Sequence, residues 1–150
     1  MLKPGFILPL LLSLLLHNAH AAVEAETELA FMPEQQLLTQ LPQLQQQAAA
    51  ENKLLLLVLG ANWCHDSVAL LQQFNKAEFS PALHQRFVLA LVDVGYLEYG
   101  QASANRYGLP LYYATPTVMV IAPQNGQLLN KMDLLHWSNA ASYDLTAYQQ

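Results

Sequence analysis

The chain's fifteen-residue stretch Leu54-Leu55-Leu56-Leu57-Val58-Leu59-Gly60-Ala61-Asn62-Trp63-Cys64-His65-Asp66-Ser67-Val68 joins two kinds of periodicity. Leu54 to Leu59 is a continuous apolar run, too short for an independent helix and bounded by Asn52-Lys53 and Gly60, so it reads as a central strand buried on both faces. From Val68 onward the spacing becomes helical, with Val68, Leu71 and Phe74 on one face and Leu70 beside it. Cys64, the chain's only cysteine, falls at the junction. A thiolate there lies near the unpaired N–H groups and the positive dipole end of a helix, both of which favour the charged form. Protonated His65 adds to that field and Asp66 opposes it. The Ser67 hydroxyl, one turn on, is placed to donate a hydrogen bond to the sulfur, and Cys64 is expected to be partly exposed.

Outward from this junction, secondary-structure signals recur along the chain. Pro33 suits a first helical position, and Leu37, Leu38, Leu41 and Leu44 follow at helical spacing, with Pro42 expected to kink or split the helix. Ser80-Pro81 reads as an N-cap and first-turn proline for a short helix over 81–86. Phe87 to Val94 reads as a second buried strand, and Gln101 to Tyr107 as a short helix stopped by Gly108. Thr117 to Ala122 and Gln127 to Lys131 flank Pro123-Gln124-Asn125-Gly126, a hairpin signal, and Ser138 is a candidate cap for a last helix running to about Tyr148. Crossover helices imply parallel middle strands and the hairpin implies an antiparallel edge. The expected class is therefore α/β with a mixed central sheet.

The first residues read differently. Lys3 supplies a basic start, Phe6 to Leu16 an apolar centre and Ala19-His20-Ala21 a small-residue cleavage site, so residues 1–21 are expected to be a signal peptide. The apolar centre is shorter than the roughly 20 residues a membrane span takes. Residues 22–33 are expected to be a flexible, acidic lead-in, and residues 34–150 a single domain. Removing the segment with Lys3 leaves five Lys and Arg against eleven Asp and Glu, a formal charge of −6. Such a surface repels nucleic acid and has no basic cluster to offset that repulsion. No stable membrane insertion is expected after cleavage, and the protein is expected to be periplasmic or secreted. Exported proteins usually pair their cysteines, so one unpaired thiol points to intermolecular chemistry, a covalent dimer included.

The order of elements, with Ala61-Asn62-Trp63-Cys64-His65-Asp66-Ser67 at the first strand-to-helix junction and Ala114-Thr115-Pro116-Thr117-Val118 before the hairpin, resembles the thioredoxin family. The resemblance spans roughly residues 34–150 and implies a thioredoxin-like three-layer sandwich. It also implies a cis peptide bond before Pro116, a partner segment bonded to the backbone of Thr115, Trp63 packed beside the nucleophile, and Cys64 as the attacking cysteine. Two departures stand out. Ser67 occupies the place of the resolving cysteine, and Val58 that of the buried acid that serves it. A lysine common in the next strand is also missing, with Leu89 or a neighbour there. The chain thus resembles the monothiol branch of the fold.

The resemblance implies thiol-disulfide exchange in which Cys64, supported by Ser67, forms mixed disulfides with cysteine-containing protein clients or glutathione. Trp63, His65, Asp66, Thr115 and Pro116 are the expected partner-contacting residues. No cofactor is implied. Two other readings stay open: a binding or adaptor module that has retained the fold without catalysis, and metal delivery. Cys64, His65 and Asp66 are all capable ligands, yet neighbours at a helix start converge poorly on one ion and no ligand spacing supports them, so no metal is expected. His84 and His136 read as ordinary histidines. Trp137, Tyr96, Tyr99, Tyr107 and Tyr112 read as packing residues, and Tyr112-Tyr113 also as a lining for a peptide groove.

Overall fold

The computed structural model describes residues 29–148. The expected signal peptide, most of the expected lead-in and residues 149–150 lie outside the described residues. Among these residues five strands form one sheet: β1 (Met32–Pro33), β2 (Leu54–Gly60), β3 (Phe87–Asp93), β4 (Thr117–Ala122) and β5 (Gln127–Leu128), in the order β1-β3-β2-β4-β5. β1 and β2 both run parallel to β3, whereas β4 runs antiparallel to β2 and β5 antiparallel to β4. The fold is a thioredoxin-like α/β arrangement with a mixed sheet.

The leucine run lies at the centre of it. Side chains alternate across a strand, so Leu55, Leu57 and Leu59 enter one core and Leu56 and Val58 the other. On the first face, the helix α1 (Glu34–Ala50) contributes Leu37, Leu41 and Ala48. On the opposite face, α2 (His65–Phe74) contributes Leu70 and Phe74, and α3 (Ser80–Arg86) contributes Leu83. A further helix, α4 (Gln101–Arg106), adds Ala104 to the first core, and Ala140 and Tyr148 close the second.

The structure changes several sequence expectations. α1 continues across Pro42 without splitting; the proline lies on the exposed face, where water can replace the lost i→i−4 bond. The expected boundary of the lead-in also moves. Met32 and Pro33 pair with Val92 and Asp93, and Phe31 is buried. Gly60 makes room for that ring, because a Cβ there would lie 2.3 Å from two atoms of Phe31. The buried face of α2 is rotated from the expected one. Asp66, Ser67, Leu70, Gln73 and Phe74 face inward, whereas Val68 and Leu71 are half-buried.

The end of the chain departs further. Ser138 caps no long helix; it lies inside a 3-10 segment, His136–Ser142, broken at Asn139, and its hydroxyl donates to the Leu135 carbonyl. A separate short helix, α5 (Leu145–Tyr148), follows, and Asp144 accepts from the Ala147 N–H at its start. Aromatic packing explains the break: Trp137, Tyr143 and Tyr148 pack on one another, which a straight helix would prevent from meeting this way. The outer hairpin strand is also shorter than expected. Past Leu128 one more backbone bond forms, Leu129 N–H to Val120 O at 2.8 Å, and the Asn130 side chain then continues the pairing, accepting from Val120 N at 2.8 Å and donating to Val118 O at 2.9 Å.

Two measurements test this packing. Gly60→Ala forces the Phe31 ring from its site and should destabilise the fold by about 1–3 kcal/mol in urea unfolding. In Phe31→Ala the added methyl should cost less, a coupling that a double-mutant cycle reads directly. Three phenols test the cores by pH. Burial raises Tyr107, Tyr112 and Tyr148 above the ordinary 10.0. The unfolded chain then loses these protons before the folded one, so their contribution is complete below pH 10.0 and falls away as pH rises past it. The urea midpoint should fall over that range, and less so in Tyr107→Phe.

Candidate active site

The site forms where β2 ends. Gly60 leads into a tight turn closed by Cys64 N–H on Ala61 O at 3.1 Å, and the Cys64 carbonyl accepts the first helical bond of α2 from Val68 N at 3.0 Å. Cys64 therefore stands at the N-cap in an extended conformation, and its side chain makes no capping bond. That leaves the sulfur free for contacts outside the helix. Opposite it, the Thr115–Pro116 peptide bond is cis, and the turn is closed by Thr117 Oγ1 donating to Ala114 O at 2.7 Å.

These two turns meet at the sulfur. The Cys64 thiol donates to the Thr115 carbonyl at 3.1 Å, across 51 positions of sequence. With 9% of its surface exposed, Cys64 is more enclosed than the sequence suggested. The Ser67 hydroxyl, fully buried, is directed to Thr115 Oγ1 at 3.0 Å instead of the sulfur. Thr115 Oγ1 in turn donates to Leu59 O at 3.2 Å. A hydroxyl carries one proton, so with Thr115 donating to Leu59, Ser67 is the donor in the pair. The result is a directed chain from α2 through the cis-proline turn to the end of β2. It holds the Thr115 carbonyl against the thiol.

The remaining expected site residues separate into two groups. Trp63 is half exposed, donates its indole N–H to Gly95 O, and stacks on Tyr96 with ring centroids 5.6 Å apart. His65 is exposed and approaches Asp66 at 3.5 Å. Asp66 itself faces inward, where its Oδ1 accepts the Ala141 N–H at 2.9 Å. That bond fastens the 3-10 segment to α2, which makes Asp66 a positioning residue and not a partner-facing one. Pro116 is buried and Thr115 half-buried. Tyr112 is buried and donates to the Tyr99 carbonyl, whereas Tyr113 is exposed.

Among the described residues the sheet's one ionisable side chain is Asp93, at the end of β3 beside Gly60, where it accepts the Gly95 N–H at 2.9 Å. Val58 is buried and pairs in register with Leu91, which is also buried, so Leu91 and not Leu89 faces the position of the missing acid. Among the described residues no group of three or more His, Cys, Asp or Glu is gathered to hold a metal ion. Sequence reading missed the Thr115 hydroxyl, the Gly95-Tyr96 support of Trp63 and the Ala141 anchor. Only the first had a local signal, the threonine side chain beside the cis-proline; the others are contacts between segments far apart in the chain.

Comparison with known proteins agrees with the geometry. No curated protein matches the chain. A solved structure described as a disulphide isomerase from Xylella fastidiosa Temecula1 superposes with a TM-score of 0.65 at 25% identity, over 72% of this chain and 82% of that one. The thioredoxin-like family model matches residues 36–123, a span that takes in both Cys64 and the cis-proline turn. That match covers more than half of the sequence, and the chain belongs to the thioredoxin-like family.

Proposed function

We propose that this protein is exported to the periplasm or beyond the cell, where it carries out thiol-disulfide exchange through Cys64 alone. The observation that supports this most is the placement of the Cys64 sulfur at the start of α2, 3.1 Å from the carbonyl of the residue before the cis-proline. An incoming disulfide reaches that sulfur along the face where Thr115 presents its backbone. The likeness to a disulphide isomerase supports the same reading.

The chemistry conserves electrons. The Cys64 thiolate supplies its pair to one sulfur of a client disulfide; a new S–S bond forms, the client bond breaks, and the second client sulfur departs as a thiolate that takes a proton from water. Without a thiol at position 67 the adduct persists until another thiol, from the client or from glutathione, attacks it and expels Cys64. When that thiol belongs to the client, the outcome is isomerisation with no net redox change. In this reading Ser67 is a positioning residue, since its proton holds Thr115 in place.

A second reading, a binding module without exchange, draws on the 9% exposure of Cys64. One experiment separates them. The mature protein is mixed with a small disulfide-bonded peptide, quenched with acid and weighed intact. Exchange predicts an adduct of one peptide half per chain, absent in Cys64→Ser; no adduct in the wild type over hours would sink the exchange reading. In Ser67→Cys a resolving thiol sits at high effective concentration. Its adduct should decay on the order of a hundredfold faster, leaving an internal disulfide.

A further inference from the structure

The second core is only partly covered. In place of one continuous last helix the chain breaks at Asn139, and Trp137 and Tyr148 turn to each other with ring centroids 4.7 Å apart. Beside them a cavity of about 350 Å³ opens onto the sheet. Leu56, Val118 and Val120 line it from the strands, and Phe74, Phe79, Trp137 and Tyr148 from the segments above. None of Cys64, Thr115 and Pro116 lines it, so it is separate from the thiol site. Its volume lies near the lower end of the ~300–1,000 Å³ in which proteins hold small ligands, and its walls are of the apolar, aromatic kind such sites use. That size suits one short chain or ring system and not a two-chain lipid.

Polar groups at the cavity narrow the chemistry of its ligand. The Asn130 side chain is committed to Val120 N and Val118 O, and the Tyr148 hydroxyl to Ala140 O. Glu78 and Arg86, both exposed, are the charged residues on the wall. The ion pairs among the described residues are Lys53–Glu51 and His65–Asp66, so the Arg86 guanidinium has no carboxylate partner there. Arg86 also lines an adjoining hollow where β2 and β3 begin, together with Lys53. Lys76, Arg106 and Lys131, the other described cations, line neither. Lys53, although paired with Glu51, keeps two further N–H donors. A carboxylate at this mouth can take the guanidinium fork in paired geometry with Lys53 nearby, whereas an ammonium group finds Glu78 alone.

We propose that this cavity binds a small amphiphile that carries a carboxylate, of the size of a medium-chain fatty acid. Its apolar body lies against Phe74, Trp137 and Val120, and its carboxylate meets Arg86. The site is independent of the exchange assigned to Cys64, and its test reads no exchange. A free fatty acid and the anionic face of a lipid bilayer share this chemistry; the size of the cavity favours the free acid.

Trp137 reports on the cavity by fluorescence once Trp63, the other tryptophan, is replaced in Trp63→Phe. That protein is titrated with decanoate, decanol, decylamine and acetate, all below micelle-forming concentrations. Decanoate should saturate the signal and bind on the order of tenfold tighter than decanol, about what one charge-assisted contact supplies. Decylamine should bind no tighter than decanol, and acetate should give no response. Added salt should weaken decanoate and leave decanol unchanged. In Arg86→Gln, decanoate should fall to the affinity of decanol. Decanoate no tighter than decanol, or decylamine tightest, would overturn the carboxylate assignment, and a saturable response to none of the four would overturn the site. Amide chemical shifts of the wild-type protein locate the ligand. On adding decanoate they should move at Phe79, Val120 and Trp137; movement centred on Tyr113 and Met132 would overturn the placement. Vesicles of phosphatidylglycerol separate the two sources, since binding to them without any response to decanoate would assign the chemistry to a membrane surface and overturn the soluble ligand.

Discussion

Burial of β2 on both faces is the constraint from which the rest of this structure follows. A strand that is apolar at every position from Leu54 to Leu59 can satisfy its backbone only if partners flank it on both edges, and its side chains only if helices cover both sides. β3 pairs along one edge in parallel register and β4 along the other in antiparallel register, from Leu54 to Gly60 and from Leu55 to Leu59 respectively. α1 covers one face and α2 the other. Each large side chain so enclosed contributes about 1.5–3 kcal/mol against the chain entropy it costs. A strand held this firmly has a fixed end, and the thiol is placed one turn beyond it.

Thr115 uses that fixed end. Its hydroxyl joins Ser67 to the last leucine of β2, while its carbonyl meets the Cys64 thiol. The serine at position 67 is therefore more than a lost cysteine. Its buried hydroxyl would be costly without a partner, and Thr115 supplies one that also locates the turn. Exchange chemistry and partner alignment become properties of one connected group, so substitution of either hydroxyl acts on the position of the carbonyl that faces the sulfur. The loop that carries Tyr96 and Tyr99 is tied back to the core through Tyr112, whose buried side chain donates to the Tyr99 carbonyl.

Much of this was legible in the order of residues. The six-residue apolar run, the switch to helical spacing after Cys64, the Asn-Gly hairpin signal and Thr-Pro-Thr before it were enough to point to the sheet, its mixed direction and the facing turns. What escaped the sequence escaped for specific reasons. Phe31 reads as the tail of an acidic lead-in, and its burial depends on a notch at Gly60, far along the chain. The last helix breaks because Trp137, Tyr143 and Tyr148 find one another, a preference with no local spacing to announce it. Asp66 reads as a partner-contacting residue, and the Ala141 N–H that claims its carboxylate lies 75 positions away.

The sequence by itself determined the periodicities, the single thiol, the absence of a second one three residues on, and the residues of the two turns. These are local properties, set by side-chain chemistry and by spacing along the backbone. Tertiary structure alone decided which proton goes to which oxygen. Ser67 turned to Thr115 and not to sulfur, and Cys64 came to rest nearly enclosed against a carbonyl 51 residues away. The physical reason is that hydrogen bonds and burial depend on distances of a few ångströms between segments whose separation along the chain carries no record of that approach.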